Sequence, residues 1–201
     1  MFVKWLREHA SSAAILALFR LYLGYAWITA GWHKIVDGFD ATGFLKGALA
    51  KASGEHPAVQ SWWAAFIEHF ALPNVGLFNV LVPWGELLVG IALILGLFTT
   101  FAALMGAVMN FAFMFSGTTS TNPQMILLTM FILVAGANAG RYGLDRWAVS
   151  YIRKFMNKTP RPHRPVAFHR WMINGRALTV LESARPIFLF LRISEISLKY
   201  I

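Results

Sequence analysis

The chain has 201 residues, of which 57% are apolar and 13% charged, with a mean hydropathy of +0.55. A soluble domain normally carries about 25% charge, so the composition excludes an ordinary water-soluble globule and points to a lipid bilayer as solvent. The formal net charge of +9 does not mark a nucleic-acid binder: residues 1–140 balance six basic against six acidic side chains, and the whole excess lies from Arg141 onward, an asymmetry that membrane topology predicts.

Residues 1–12, with Lys4 and Arg7, read as a short cytoplasmic segment. Residues 13–35 form the first stretch able to cross about 30 Å of hydrocarbon at about 1.5 Å per residue. Arg20 interrupts this run and no small-x-small cleavage site follows, which argues against a secretory signal. In the loop 36–74, Val59, Trp62, Trp63, Phe66, Ile67 and Phe70 recur at helical spacing between Pro57 and Leu72. They predict an amphipathic helix that either lids the bundle mouth or anchors its depth in the interface. A second span covers residues 75–97 with Glu86 as its one charge, and from Leu87 to Gly140 no residue is charged. That run predicts two further spans, 100–116 and 123–140, on either side of a polar turn closed by Pro123.

The expected fold class is therefore all-α: a polytopic membrane protein with a four-transmembrane-helix bundle in residues 13–150, an extracytoplasmic amphipathic loop helix, and a basic cytoplasmic tail over 151–201. Lys and Arg flank the first span and follow the fourth, which predicts both termini in the cytoplasm. In the tail, the apolar run ending before Arg192 is too short for a fifth span and is expected at the lipid interface.

Charged groups in lipid cost several kcal/mol unless they are paired or face a polar cavity. Counted along each helix, Arg20 and Glu86 lie about 10 and 16 Å from the cytoplasmic side, and Asn110 about 15 Å. An arginine can bridge that difference, so a buried Arg20–Glu86 pair is expected; it either locks the first two helices together or lines a site. Glu86 and Arg20 are the candidate catalytic residues, and Asn110, Trp27, Trp84, His33 and Lys34 are candidates for substrate binding. Cysteine is absent, which excludes disulfides, Cys-ligated zinc and iron–sulfur clusters, so a redox role needs a bound cofactor or a partner. His33 at a span edge does not suit haem, and His56 and His69 lack ligand spacing, so no metal is expected.

Three runs stand in a specific order: Phe19-Arg20-Leu21-Tyr22-Leu23-Gly24 continuing to Ala30-Gly31-Trp32-His33-Lys34-Ile35, then Gly85-Glu86-Leu87-Leu88-Val89-Gly90 with Leu95-Gly96-Leu97-Phe98-Thr99, and Gly140-Arg141-Tyr142-Gly143-Leu144-Asp145. Over about residues 13–150 the chain resembles the DoxX family of four-helix bacterial membrane proteins, and its Gly117-Thr118-Thr119-Ser120-Thr121-Asn122-Pro123 turn is similar to that of the Gram-positive branch named as oxidoreductases. The resemblance implies a multi-pass protein of the bacterial plasma membrane. Relatives include quinone-reducing thiosulfate oxidoreductase subunits, and others are associated with resistance to catechols, quinones and thiol stress beside a partner oxidoreductase. Among the matching positions, Arg20, Lys34 and Glu86 are carried over as site residues, and Gly31, Gly96 and Asp145 as structural ones. The expected function is a membrane oxidoreductase, or the membrane subunit of one, acting on a quinone- or catechol-like or thiol-stress-related substrate, with a quinone as the implied cofactor. The competing reading is a non-catalytic scaffold that recruits a soluble redox partner through the basic tail. Lipid, an oxidoreductase partner and a second copy of the chain are the expected contacts, and nucleic acid is not.

Overall fold

The computed structural model describes residues 1–151 except Gly54 and Val149, so the expectations placed on the tail beyond residue 151 lie outside the described residues. Every regular element among them is helical. A short amphipathic α1 (Phe2–Glu8) precedes α2 (Ala10–Val36), whose 27 residues span about 40 Å. The segment leading to α5 (Val75–Leu95) carries α3 (Ala41–Ala50) and α4 (Ser61–Phe66), the latter running into a π-helical turn, Ile67–Ala71. Then come α6 (Thr99–Phe115) and α7 (Asn122–Ala135), which tightens into a 3₁₀ turn, Gly136–Gly140.

Three stretches are long and apolar enough to cross a membrane: α2, α5 and Asn122–Gly140. Helix α6, the fourth expected span, is apolar but shorter, 17 residues or about 25 Å, so length and composition alone support three of the four. Its start is set by Phe98, a non-glycine residue at φ +49° two positions after the left-handed Gly96 that ends α5.

The outer segment differs from the single helix expected over residues 57–72. Ala58 and Val59 donate their backbone N–H groups to the Lys51 carbonyl at 3.0 and 3.3 Å, folding the chain back on the end of α3 and delaying helix until Ser61. Val59 is consequently a buried plug beneath this fold-back. Helix α3 itself, with two glycines in ten residues, has a weak intrinsic signal. It is started by Asp40, whose side chain accepts from the Thr42 N–H at 3.0 Å and the Thr42 hydroxyl at 2.7 Å. These bonds, with a smaller contribution from Asn79, hold the Asp40 carboxyl below the ordinary carboxylate range. Asn79 of α5 fixes the same point, accepting from the Ala41 N–H at 2.8 Å. Leu72 N–H reaches the Ile67 carbonyl, five residues back, at 2.9 Å; this wider turn buries both Ile67 and Ala71 against α3.

Two apolar cores result. One lies among α1, α2, α5, α6 and α7 around Leu16, Leu23, Leu93 and Ile132; the other lies under α3 and α4 around Leu45, Val59 and Ile67. In the first, α2 and α5 run antiparallel in backbone contact. A β-carbon on Gly31 would lie 2.6 Å from the Leu87 nitrogen and 2.7 Å from the Pro83 carbonyl, and one on Gly90 would lie 2.6 Å from the Ile28 nitrogen. Small residues allow this approach where no hydrophobic force drives helices together in lipid.

Gly31→Ala is accordingly expected to cost about 1–3 kcal/mol through overpacking. Gly47→Ala, in α3 with open space around it, is expected to be neutral or stabilising by up to about 1 kcal/mol. Thermal unfolding of the two variants in the same detergent checks the contrast.

Candidate functional site

The contacts between α2 and α5 fix their register. Gly24 packs on Gly90 and Ile94, and Gly31 on Pro83 and Leu87. This register sets Glu86 against Gly31, and Lys34, three residues further along α2, reaches back so that its Nζ lies 2.6 Å from Glu86 Oε2. Continued toward the start of α2, the register brings Arg20 beside Gly96. The expected Arg20–Glu86 pair is therefore not formed. The physical reason is that α2 starts at Ala10 and overshoots the end of α5, so residues counted from flush helix ends were placed at the wrong level.

Arg20 instead holds together the end of the bundle at the α5–α6 turn. Its Nη1 and Nη2 donate to the carbonyls of Ala139 and Tyr142, each at 3.1 Å. The Asp145 carboxylate supplies the compensating charge nearby and accepts from the backbone N–H groups of Phe98 at 2.6 Å and Thr99 at 2.9 Å. Asp145 thus caps α6 from a distant part of the chain, at the strained Phe98 that cannot cap it with its own side chain. The Asp145 N–H closes the knot on the Gly96 carbonyl at 2.8 Å. A β-carbon on Gly143 would sit 2.7 Å from both Arg20 Nη1 and the Gly96 Cα, which explains the glycine there. Arg20 does not line the cavity described next.

A cavity of about 600 Å³ occupies the other end, enclosed by the C-terminal half of α2, the N-terminal half of α5, the C-terminal half of α6, the start of α7, and the roof formed by α3, α4 and the π turn. Its polar groups come from three helices. Glu86 is 1% exposed and paired with the half-buried Lys34, whose ammonium also lies 5.8 Å from the centre of the Phe39 ring. Asn110 of α6 is fully buried, and neither its amide nitrogen nor its oxygen has a hydrogen-bond partner in the protein; the same is true of the Trp27 indole Nε1. Helices α5 and α6 meet at Gly85 with Met109 and at Val89 with Gly106, an antiparallel register that sets Glu86 and Asn110 at one level. Trp27 Nε1 lies against Gly106, 3.1 Å from where a β-carbon would be.

The walls are aromatic. Phe44 and Phe113 meet edge to face at 6.0 Å, and Trp63 stacks on Phe66 at 4.9 Å. The roof is tied down at the polar turn after α6: Trp63 Nε1 donates to the Ser116 hydroxyl at 2.9 Å, and Lys51 Nζ donates to the Gly117 carbonyl at 3.0 Å. Leu81 and Val108 line the cavity and are also exposed on the apolar surface of α5 and α6.

Of the residues singled out in the sequence, Glu86, Lys34, Asn110 and Trp27 converge on this cavity. His33 and Trp84 do not. His33 follows Trp32 on the outer face and lies 3.6 Å from Asp37 along its own helix, with 69% of its side chain exposed. Trp84 is 50% exposed, two residues before Glu86 and hence about 200° around the helix, facing away. Gly31 and Gly96 serve close approach and chain reversal, and Asp145 serves capping. The wall residues Phe39, Phe44, Phe78 and Phe113 were missed. Phe113 alone carried a usable signal, one helical turn after Asn110 on α6.

The sequence model of DoxX matches residues 15–119, more than half of the chain. No curated protein and no solved structure matches it.

Removing one member of the Lys34–Glu86 pair leaves a buried charge without its counter-charge. Lys34→Met is expected to cost about 3–5 kcal/mol, and the double variant Lys34→Met/Glu86→Leu to recover most of that loss. Unfolding of the wild type, the single variants and the double variant in one detergent reads the coupling directly.

Proposed function

Since the chain belongs to the DoxX family of membrane proteins, we propose that it is a multi-pass protein of the bacterial plasma membrane that holds a quinone- or catechol-like ring beneath its outer roof, as an oxidoreductase or the membrane subunit of one. The observation that carries this reading is the cavity: about 600 Å³, aromatic at its walls, with Lys34, Glu86, Asn110 and Trp27 converging at its inner end. That volume suits a small ligand, and an apolar slot with a few converging polar groups is how such ligands are oriented. Aromatic walls favour a flat ring over a small thiol by stacking.

In this reading the ring lies between Phe113 and the roof aromatics, with its oxygens toward the polar end. Lys34 donates a hydrogen bond to a ring oxygen, and Glu86 accepts one from a ring hydroxyl and is placed to exchange its proton. Interconverting a quinone and its hydroquinone moves two electrons and two protons. The chain has no cysteine, so the electrons are assigned to a partner oxidoreductase or a bound redox cofactor. Leu81 and Val108, in the cavity wall and exposed on the apolar surface, are where an apolar ligand would enter from the bilayer.

The proposed topology has both termini in the cytoplasm, with α6 crossing as a fourth, short span between the inner end of α5 and the outer start of α7. It is supported by Lys4, Arg7, Arg141 and Arg146 at one end of the bundle. The scaffold reading depends on the tail, outside the described residues, and nothing in the described part favours it.

In lipid nanodiscs, a short-chain benzoquinone is expected to quench tryptophan fluorescence saturably, with affinity reduced about tenfold or more by Phe113→Ala. Quenching that stays linear in quinone and equal in both proteins would show collision only and sink the ring site. For topology, the cysteine-free chain permits single labels: Ser53→Cys in intact cells should react with a membrane-impermeant maleimide, and Ser11→Cys only after permeabilisation. The reverse pattern would invert the orientation.

A further inference from the structure

Buried polar side chains in this bundle generally find partners within the chain. Thr129 donates its hydroxyl to the Met125 carbonyl at 2.7 Å and Ser116 to the Ala112 carbonyl at 2.8 Å. Asn122 reaches the Thr118 carbonyl at 3.0 Å, and Asn138 donates to the Leu6 carbonyl, the His9 carbonyl and the Ser12 hydroxyl. Among the described residues Arg20 Nε and Thr99 Oγ1 are also unpaired, away from the cavity, but Asn110 and Trp27 are the buried and unpaired ones that line it. An unpaired buried donor or acceptor costs about 1–3 kcal/mol, so two such residues at one end of one cavity point to a ligand that supplies what the protein does not.

Their chemistry specifies that ligand group. The Trp27 N–H and the Asn110 amide N–H each require an acceptor, whereas Asn110 Oδ1 requires a donor. Trp27 Nε1 lies over Gly106, one turn before Asn110 on the same face of α6, so both residues address one region. A quinone carbonyl accepts hydrogen bonds but donates none, and would leave Asn110 Oδ1 unpaired. A phenolic hydroxyl does both. Glu86 repeats the preference, because a carboxylate facing the ring needs a donor and a carbonyl has none to give.

Resting on the ring-binding reading above, we propose that Trp27 and Asn110 form a subsite for a phenolic hydroxyl, which makes the cavity selective for the reduced catechol or hydroquinone form over the oxidised quinone. A site built to hydrogen-bond a hydroxyl rejects an analogue without it far more strongly than an apolar pocket rejects a lost methylene. Tighter binding of the reduced form also favours reduction of the bound ring: each tenfold of preference raises the two-electron potential of the bound couple by about 30 mV.

The test compares hydroquinone, benzoquinone and hydroquinone dimethyl ether, each titrated into full-length protein in nanodiscs and followed calorimetrically under anaerobic conditions. The dimethyl ether keeps the reduced ring and its oxygens and replaces both O–H donors with O-methyl groups. Hydroquinone is expected to bind about tenfold or more tightly than either of the others. Asn110→Leu, close in volume and compatible with an apolar helix, should bring the three affinities within about twofold, and Trp27→Phe should narrow the difference only in part. If the three ligands bind equally to the wild type, or if the preference survives Asn110→Leu, the hydroxyl subsite is wrong while ring binding stands. If none binds, the ring-binding reading falls and the subsite with it.

Discussion

Backbone contact between α2 and α5 at Gly24, Gly31 and Gly90 decides which polar groups can meet in this bundle. With no side chain between them, the two helices cannot slide by a turn without a clash. Glu86 has Lys34 within reach and Arg20 out of it. The ion pair is thus a consequence of packing, and it in turn makes a carboxylate tolerable at the bottom of an apolar cavity.

The same register separates two jobs. At the α5–α6 turn, Arg20 donates from Nη1 and Nη2 to the Ala139 and Tyr142 carbonyls, and Asp145 caps a helix that Phe98 cannot cap. Arg20 Nε and Thr99 Oγ1 have no partner there, but neither residue lines the cavity. At the other end, Asn110 and Trp27 stay unsatisfied around a space large enough for a ring. Charge buried in a membrane protein is often read as a sign of function; here one buried arginine holds turns together, and the less conspicuous asparagine marks the cavity.

The all-helical membrane class was legible in the sequence because long apolar runs admit little else. That Glu86 and Asn110 lie at one level was legible too, from their similar depths counted along α5 and α6. The partner of Glu86 was not, because depth counted from predicted helix ends ignores how far α2 overshoots α5. His33 and Trp84 were misplaced for a related reason: composition identifies them as polar or aromatic, but only a 100° step per residue says which way they face. Helix α3 was hidden by its two glycines, and it depends on Asp40 and Asn79 meeting from separate parts of the chain. The roof phenylalanines are tertiary contacts, which no local period encodes.

The central claim is that a ring's polar edge docks at Trp27 and Asn110 beside the Lys34–Glu86 pair. Nitrogen-15 labelling of the eight tryptophans, with the Trp27 indole resonance assigned through Trp27→Phe, observes that point directly. On titration with catechol in nanodiscs, the Trp27 indole N–H should shift downfield as it gains an acceptor, while that of Trp84, on the outer face, stays in place. A Trp27 resonance that does not move while catechol perturbs Trp84 or other exposed tryptophans would contradict the account.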